Sequence, residues 1–401
     1  MTDFDIERSR ATEPLFYHAP CPENMTPKQY QLAGVEYALE RPHMLFGDAP
    51  GLGKTAECIL LGNAIEAKRT LVVCPASLRL NWEREIWKWS TIENVSTYCV
   101  IKGKDGVSEK ANYVIISYSL LSNPSILNAI MAVTWDHMIL DEAHAIKDPK
   151  GNKRTQVICA PDLLPSVVGR ITLASGTILP NQPIECYNAL RLLNWDAIDR
   201  MSLDGFRNTY YEMGSGYVRG PVWDSDAQAN VWKMHWSEEV RNVPTNLTDL
   251  QNRLRKNVMV RRLKEQVLHE LPAVQWHPFP LQMTTRIRKA LKHEGWKKAE
   301  KLYEMNAGSF DDGIPVDGAV STARRELGEA KAPLIVEYIK ELLDEGITKL
   351  VVAAWHLSVL AYLRDELSGY GLVYMDGSTS AVRKQTVVDD FQQKPEIKII
   401  L

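Results

Sequence analysis

Between Met44 and Thr55 the chain reads Met-Leu-Phe-Gly-Asp-Ala-Pro-Gly-Leu-Gly-Lys-Thr. A short apolar run enters a Gly-rich turn, and the turn delivers Lys54 and Thr55 to the start of a helical pattern from Ala56 to Ala67. Strand, loop and helix in that order form a phosphate cradle, a combination few folds outside the α/β class can build. Gly51 and Gly53 allow main-chain N–H groups to approach phosphate oxygens, and the helix N-terminus adds partial positive charge. Lys54 is placed to reach the terminal phosphates and Thr55 to offer a hydroxyl to Mg²⁺, so the expected ligand is a nucleoside triphosphate. The strict G-x-x-x-x-G-K-[ST] pattern has Gly where this chain has Asp48, which leaves a chance Gly-rich turn as the competing reading.

The same rhythm continues downstream. Thr70–Cys74, Tyr113–Ser117, His137–Leu140 and Arg170–Ala174 are short apolar runs, each followed by turn chemistry and a helical pattern, as a parallel sheet buried on both faces demands. In such sheets functional residues lie just beyond the carboxyl ends of the strands. One of these runs leads into Asp141-Glu142-Ala143-His144, where Asp141 would hold the metal and Glu142 would orient and deprotonate the attacking water; a helix N-terminus with favourable acids is the alternative. Another leads into Ser175-Gly176-Thr177, which either senses the terminal phosphate by bonding back to the acidic motif or is a plain strand-to-loop turn. Upstream, Thr26-Pro27 reads as the start of a helix running to Leu39. On it, Gln31 carries an amide able to grip an adenine edge with donor and acceptor together, or simply faces solvent.

Composition narrows the classes. With 45% hydrophobic and 24% charged residues among 401, this is ordinary globular material, and a formal charge of −3 sends any nucleic-acid contact to a local basic face. The six cysteines are scattered without a C-x-x-C pair, which suits reduced core thiols better than disulfides or a zinc site. The charged amino terminus lacks an apolar leader and no run approaches the roughly 18 apolar residues of a membrane helix. The expectation is an intracellular protein, cytoplasmic or nucleoid-associated, or nuclear in a eukaryote.

Organisation follows the pattern shifts. Residues 1–24, with Pro14, Pro20 and Pro22, form an irregular lead-in; 25–200 form a first P-loop lobe; 201–330 form a mainly helical insertion and basic linker; 331–401 begin a second α/β lobe. In the insertion, aromatics such as Phe206, Tyr210, Tyr211, Trp223 and Trp236 either pack a small subdomain or stack bases. The basic window Arg253–Lys264 is phosphate-facing or a solvated helix face. A second basic helix is expected from Thr284 to Tyr303, a flexible boundary over Gly308–Gly318, and a new helix after Pro333. The last strand pattern, Ile397–Leu401, is also where the sequence stops, so the chain reads as a fragment truncated within its second lobe.

The ordered set of motifs resembles the Swi/Snf family of ATP-dependent DNA translocases in helicase superfamily two, and its compact spacing is similar to the annealing-helicase-like branch. The resemblance rests on Lys28-Gln-Tyr-Gln-Leu-Ala-Gly-Val, Gly47-Asp48 to Lys54-Thr55, Val73-Cys-Pro-Ala-Ser-Leu with Asn81-Trp82, and Asp141-Glu-Ala-His. It continues through Ser175-Gly-Thr, Met259-Val-Arg-Arg-Leu-Lys-Glu-Gln-Val with Glu270-Leu-Pro, and Asp376-Gly-Ser-Thr with Arg383. It implies two RecA-like lobes with parallel sheets, the second incomplete, and ATP with Mg²⁺ as cofactors. Gln31, Asp48, Gly51, Gly53, Lys54 and Thr55 would bind nucleotide, Thr55 and Asp141 the metal, and Lys54, Asp141 and Glu142 would carry the chemistry. His144, Ser175, Gly176 and Thr177 would couple nucleotide state to lobe movement. Double-stranded DNA would run past Pro75, Ala76, Ser77, Arg261 and Arg262 on one lobe and Asp376, Gly377, Ser378 and Thr379 on the other. Ala49-Pro50 departs from the acid and Met usual there, and the family's arginine fingers, worth about 10³ to 10⁵ in rate, would follow Leu401. The expected function is ATP-dependent DNA translocation; a nucleotide-gated DNA-binding module and a strand-separating DNA or RNA helicase are the alternatives.

Overall fold

A computed structural model describes residues 4–149, 152–177, 182–224, 229–272, 274–305 and 318–401. In chain order the strands are β1 (Met44–Phe46), β2 (Thr70–Cys74), β3 (Thr97–Cys99), β4 (Tyr113–Ser117), β5 (Trp135–Asp141), β6 (Val168–Ala174), β7 (Tyr211–Asp224), β8 (Ala229–Pro244), β9 (Met259–Val260), β10 (Leu350–Val351), β11 (Leu372–Val373) and β12 (Ile399–Ile400). The first unit's helices are α1 (Phe4–Arg8), α2 (Gln29–Leu39), α3 (Lys54–Ala64), α4 (Arg79–Trp89), α5 (Pro124–Met131), α6 (Lys153–Cys159), α7 (Tyr187–Asn194), α8 (Leu203–Tyr210), α9 (Leu247–Asn257) and α10 (Lys264–Val267). The second unit holds α11 (Thr285–Leu291), α12 (Glu294–Met305), α13 (Gly318–Asp344), α14 (Leu357–Glu366) and α15 (Ala381–Gln393).

Two compact units result, one of Met1–Ser215 with Glu238–Ala273 and one of Gly216–Ser237 with Val274–Leu401. In the first, seven strands form one sheet in the order β3-β4-β2-β5-β6-β1-β9, and every pairing is parallel. Side chains alternate between two buried cores. Leu45, Val73, Ile116, Leu140 and Leu173 enter one; Phe46, Val72, Ile115, Ile139 and Ala174 enter the other. Helices cover both faces, which is why these strands are apolar throughout rather than alternating.

All five strands expected in this lobe are present; β3 and β9, at three and two residues, are too short for a periodic signal. The second of these matters most. β9 lies beside β1, with Leu45 opposite Met259 and Phe46 opposite Val260, so the sheet itself carries the basic segment to the nucleotide loop.

Several boundaries differ from expectation. The helix bearing Gln31 begins at Gln29, because the Gln31 Oε1 accepts from the Lys28 N–H at 2.9 Å and fixes Lys28 as the cap. The lead-in contains α1, and its Ser9 carbonyl accepts from the Arg261 N–H at 3.1 Å, so it is fastened to the first unit. Units do not divide at residues 201 and 331: α8, α9 and β9 belong with the first sheet. Among its described residues the insertion adds to its helices a two-stranded β7–β8 sheet and strand β9. Phe206 and Tyr210 within it are fully buried, Phe206 packing edge-on against Tyr187 with ring centroids 5.3 Å apart, which is the packing use rather than base stacking. The side chains of Trp223 and Trp236 lie outside the described residues.

In the second unit, the expected single basic helix is broken at Lys292–His293 into α11 and α12. Pro333 does not open a helix but sits inside α13, which runs 27 residues. Packing on the α13 side chains Val336, Ile339 and Leu343 outweighs the hydrogen bond that proline removes. The sheet here has three parallel strands in the order β10-β12-β11. The flexible boundary expected at Gly308–Gly318 lies, Gly318 apart, outside the described residues. No helix among the described residues is long and apolar enough to cross a membrane.

Candidate active site

The nucleotide loop joins β1 to α3. Gly51 at φ +89° and Gly53 at φ +79° occupy the left-handed region, where side chains are strained. A Cβ on Gly53 would also stand 2.6 Å from Gln31 Nε2. Gly53 is the cap of α3 and has no side chain to satisfy the first-turn N–H groups, which leaves them for an anion. Lys54 Nζ donates to the carbonyls of Asp48 at 2.8 Å and Ala49 at 3.4 Å, so its ammonium is folded into the loop where phosphate oxygens would compete for it. Gln31, only 5% exposed, donates through Nε2 to Leu52 O at 3.2 Å. The amide therefore buttresses the loop, and Tyr30 does the same by donating its hydroxyl to Leu52 O at 3.0 Å.

Asp141 ends β5 and is 8% exposed. Three groups fix it. The Trp82 indole N–H donates to Oδ2 at 2.8 Å, the Glu142 N–H donates to Oδ1 at 2.9 Å, and the Tyr118 hydroxyl donates to the main-chain carbonyl at 2.7 Å. Burial pushes the Asp141 carboxyl above its ordinary value and the Glu142 charge adds to this, while the Trp82 hydrogen bond and the Lys54 ammonium hold it back. Asp141 and Thr55 are hard oxygen donors, the chemistry Mg²⁺ accepts alongside waters and phosphate oxygens, so the residues fit that ion. Glu142 turns the chain at φ +50°, uncommon for a residue with a side chain. Its carboxylate is 40% exposed and lies 3.3 Å from His144 Nδ1. One acid is therefore buried and bonded, its neighbour is open, and the two are equipped for different tasks.

Ser175, Gly176 and Thr177 follow β6, whose last residue Ala174 stands in register with Asp141. Among the described residues the segment bonds elsewhere than to the acidic motif: the Ser175 N–H donates to Phe46 O at 3.1 Å and the Thr177 N–H to Ser175 Oγ at 3.3 Å. Contact is with the nucleotide loop, since a Cβ on Gly176 would stand 2.9 Å from Pro50 Cδ.

The segment after β9 requires a correction. Arg262, expected to face DNA, is 0% exposed and has no surface to offer a phosphate. Its guanidinium grips Asp48 through Nε at 2.9 Å and Nη2 at 2.5 Å, pairs with Glu57 at 2.5 Å, and donates to Tyr30 O at 2.5 Å. Asp48 is likewise fully buried, so it braces the loop from beneath instead of touching nucleotide. Burial pushes the Glu57 carboxyl well up, with Asp48 adding and Arg262 opposing, so two buried acids share one guanidinium. Arg261 Nη1 donates to Gly47 O at 2.6 Å and Gly176 O at 3.0 Å.

Two exposed turns remain. Ala76 and Ser77 are exposed on a single 3₁₀ turn after β2, held by Arg79 Nε donating to Ala76 O at 3.2 Å. In the second unit, Asp376 Oδ1 accepts from the Ser378 hydroxyl at 2.6 Å and the N–H groups of Ser378 and Thr379 at 2.8 and 3.1 Å, and the Tyr374 hydroxyl donates to Oδ2 at 2.9 Å. These bonds, the Ser378 hydroxyl first, hold its carboxyl well below the usual range, so Asp376 organises the turn.

Sequence reasoning missed Trp82 and Tyr118 as partners of Asp141; Asn81-Trp82 was visible as a motif, but nothing local announces a bond to an acid 59 residues on.

A family model described as the SNF2-related domain matches residues 30–324. The Xenopus tropicalis SWI/SNF-related matrix-associated actin-dependent regulator of chromatin subfamily A-like protein 1 is 29% identical over 372 residues, covering 90% of this chain and 36% of that protein. The human DNA annealing helicase and endonuclease ZRANB3 is 26% identical over 385 residues, covering 93% and 33% respectively. The chain thus spans about a third of the length of these relatives. The solved Sulfolobus solfataricus SWI2/SNF2 ATPase core in complex with dsDNA aligns with 96% of this chain and 80% of its own, at 17% identity and a TM-score of 0.48. With the family model matching well over half its length, the chain belongs to the SNF2-related domain family.

Proposed function

We propose that this chain is an ATP-hydrolysing motor domain that couples nucleotide turnover to movement along double-stranded DNA. The observation that carries the reading is the arrival of Lys54, Asp141 and Glu142 at the carboxyl edge of one parallel sheet. There the Lys54 ammonium, the first-turn N–H groups of α3 and the left-handed glycines cradle the phosphates. Mg²⁺, held by Thr55 and Asp141, would neutralise charge developing on the phosphoryl oxygens. Glu142, open and paired with His144, takes the proton of the attacking water. Gln31 lies against the same loop, and reading adenine would require its amide to exchange the bonds it makes to Lys28 and Leu52. Gly176, pressed on Pro50, relays the state of the loop to the end of β6, with His144 and Thr177 beside that path. Pro75, Ala76 and Ser77 on the first unit and Gly377, Ser378 and Thr379 on the second supply the DNA-backbone contacts. The printed names of the relatives, a chromatin regulator and a DNA annealing helicase, support a DNA substrate.

ATP hydrolysis measured with and without double-stranded DNA tests the reading. Turnover stimulated by DNA and reduced 10²- to 10⁴-fold in Glu142→Gln, with ATP binding retained, is the expected result. DNA affinity should fall steeply with salt and vary little with sequence; turnover indifferent to DNA, or binding indifferent to salt, would overturn the motor.

A further inference from the structure

We propose that Lys264 is a second phosphate-binding lysine, delivered to the nucleotide loop from outside it. The proposal rests on the reading of the loop as an ATP site and adds a ligand contact to it. After β9 the chain runs beside the loop in step with it: the Gly47 N–H donates to Val260 O at 2.8 Å and the Ala49 N–H to Arg262 O at 3.0 Å. Arg261 and Arg262 then tie down Gly47 and Asp48, so the backbone leading to residue 264 is fixed on the loop. Leu263 caps α10, its N–H donating to Gln266 Oε1 at 2.8 Å, and Lys264 is the first residue of that helix.

From there the Lys264 side chain lies across Gly51. A Cβ built on that glycine would stand 3.4 Å from Lys264 Cε and 3.5 Å from Nζ. The glycine thus serves two purposes, a left-handed turn and room for a lysine. Among the described residues Lys264 makes no ion pair, although Glu265 follows it in sequence. Its ammonium and that of Lys54, which reaches the loop from α3, flank one turn of main chain. A triphosphate carries more negative charge than one lysine offsets, and an ammonium on a fixed backbone supplies a further charge-assisted hydrogen bond. An exposed lysine poised over a phosphate loop is a nucleotide ligand by this chemistry.

Fluorescent ATP, ADP and adenosine titrated against the unaltered chain, Lys264→Ala and Lys264→Arg test it. Lys264→Ala should weaken ATP and ADP binding about 10- to 100-fold, leave adenosine affinity unchanged and preserve the circular dichroism spectrum; Lys264→Arg should restore most of the loss. Equal ATP affinity in Lys264→Ala and the unaltered chain would overturn the inference while leaving the ATP site standing. A loss confined to DNA affinity would overturn it too, assigning the lysine to the DNA track. An unaltered chain that binds no nucleotide would overturn the proposed function and this inference together.

Discussion

In the candidate active site, Trp82 and Asp141 show how much rests on a side chain that only holds another in place. The indole contributes one N–H to a carboxylate oxygen that burial has made costly to charge. Trp82→Phe keeps most of the ring volume and removes that donor, leaving a buried oxygen unpaired. It should cost about 1 to 3 kcal/mol in urea unfolding, and no change in the unfolding midpoint would mean that water replaces the donor. Glu142 shows the converse: its positive φ holds an open carboxylate next to a buried one. The positions of Lys54, Asp141 and Glu142 were legible, because each ends its own strand or follows it closely in sequence. Trp82 was not, because it sits on helix α4 while its partner ends β5, 59 residues further along the sequence.

Strand β9 has two residues and carries the most consequential segment of the chain. The window Arg253–Lys264 read only as basic, since composition shows charge but not which residue the pairing of β9 with β1 turns inward. Arg262 meets Asp48 across 214 positions of sequence, a distance no local pattern spans. Its role makes a sharp expectation at this scale. Arg262→Met should destabilise the first unit by about 3 to 5 kcal/mol, because the Asp48 carboxylate stays buried without its counter-charge. Lys should not rescue it, since an ammonium cannot reproduce the fork that reaches Asp48, Glu57 and Tyr30 together. Gly34→Ala should mimic part of the loss, its Cβ falling 2.8 Å from both Arg262 Nη2 and Glu57 Oε1. Urea denaturation of the variants decides; stability equal to the unaltered chain would show the triad to be dispensable.

Across the first unit, the sheet that positions the site also sets its response to acid. His137 lies in β5, fully buried, with Nε2 2.8 Å from Thr172 Oγ1 and Nδ1 without a partner among the described residues. Burial, with the Arg170 charge adding, pushes its pKa down to about 3. An unfolded histidine titrates near 6.5, so below that pH the unfolded chain binds a proton the folded one refuses. Stability from this group is complete above about pH 6.5 and is lost as pH falls toward 3, by about 1.4 kcal/mol per pH unit where the slope is full. His43, also lowered by burial, acts in the same direction. The urea midpoint should fall between pH 7 and 5, and His137→Gln should flatten that fall; identical slopes would remove His137 as its source. The parallel architecture was readable from apolar runs on both faces, whereas the division into units was not, because α8, α9 and β9 return to a sheet they left in sequence.

The meeting of Gly176 with Pro50 carries a rule about inheritance. With 2.9 Å between a would-be Cβ and the proline ring, positions 50 and 176 are not free to drift separately. A lineage that places proline in the loop has bound itself to glycine after the sixth strand, and one that enlarges position 176 must first shrink position 50. Gly176→Ala should therefore be tolerated in a Pro50→Ala background and disruptive alone, a reciprocal dependence that a double-mutant cycle reads as coupling.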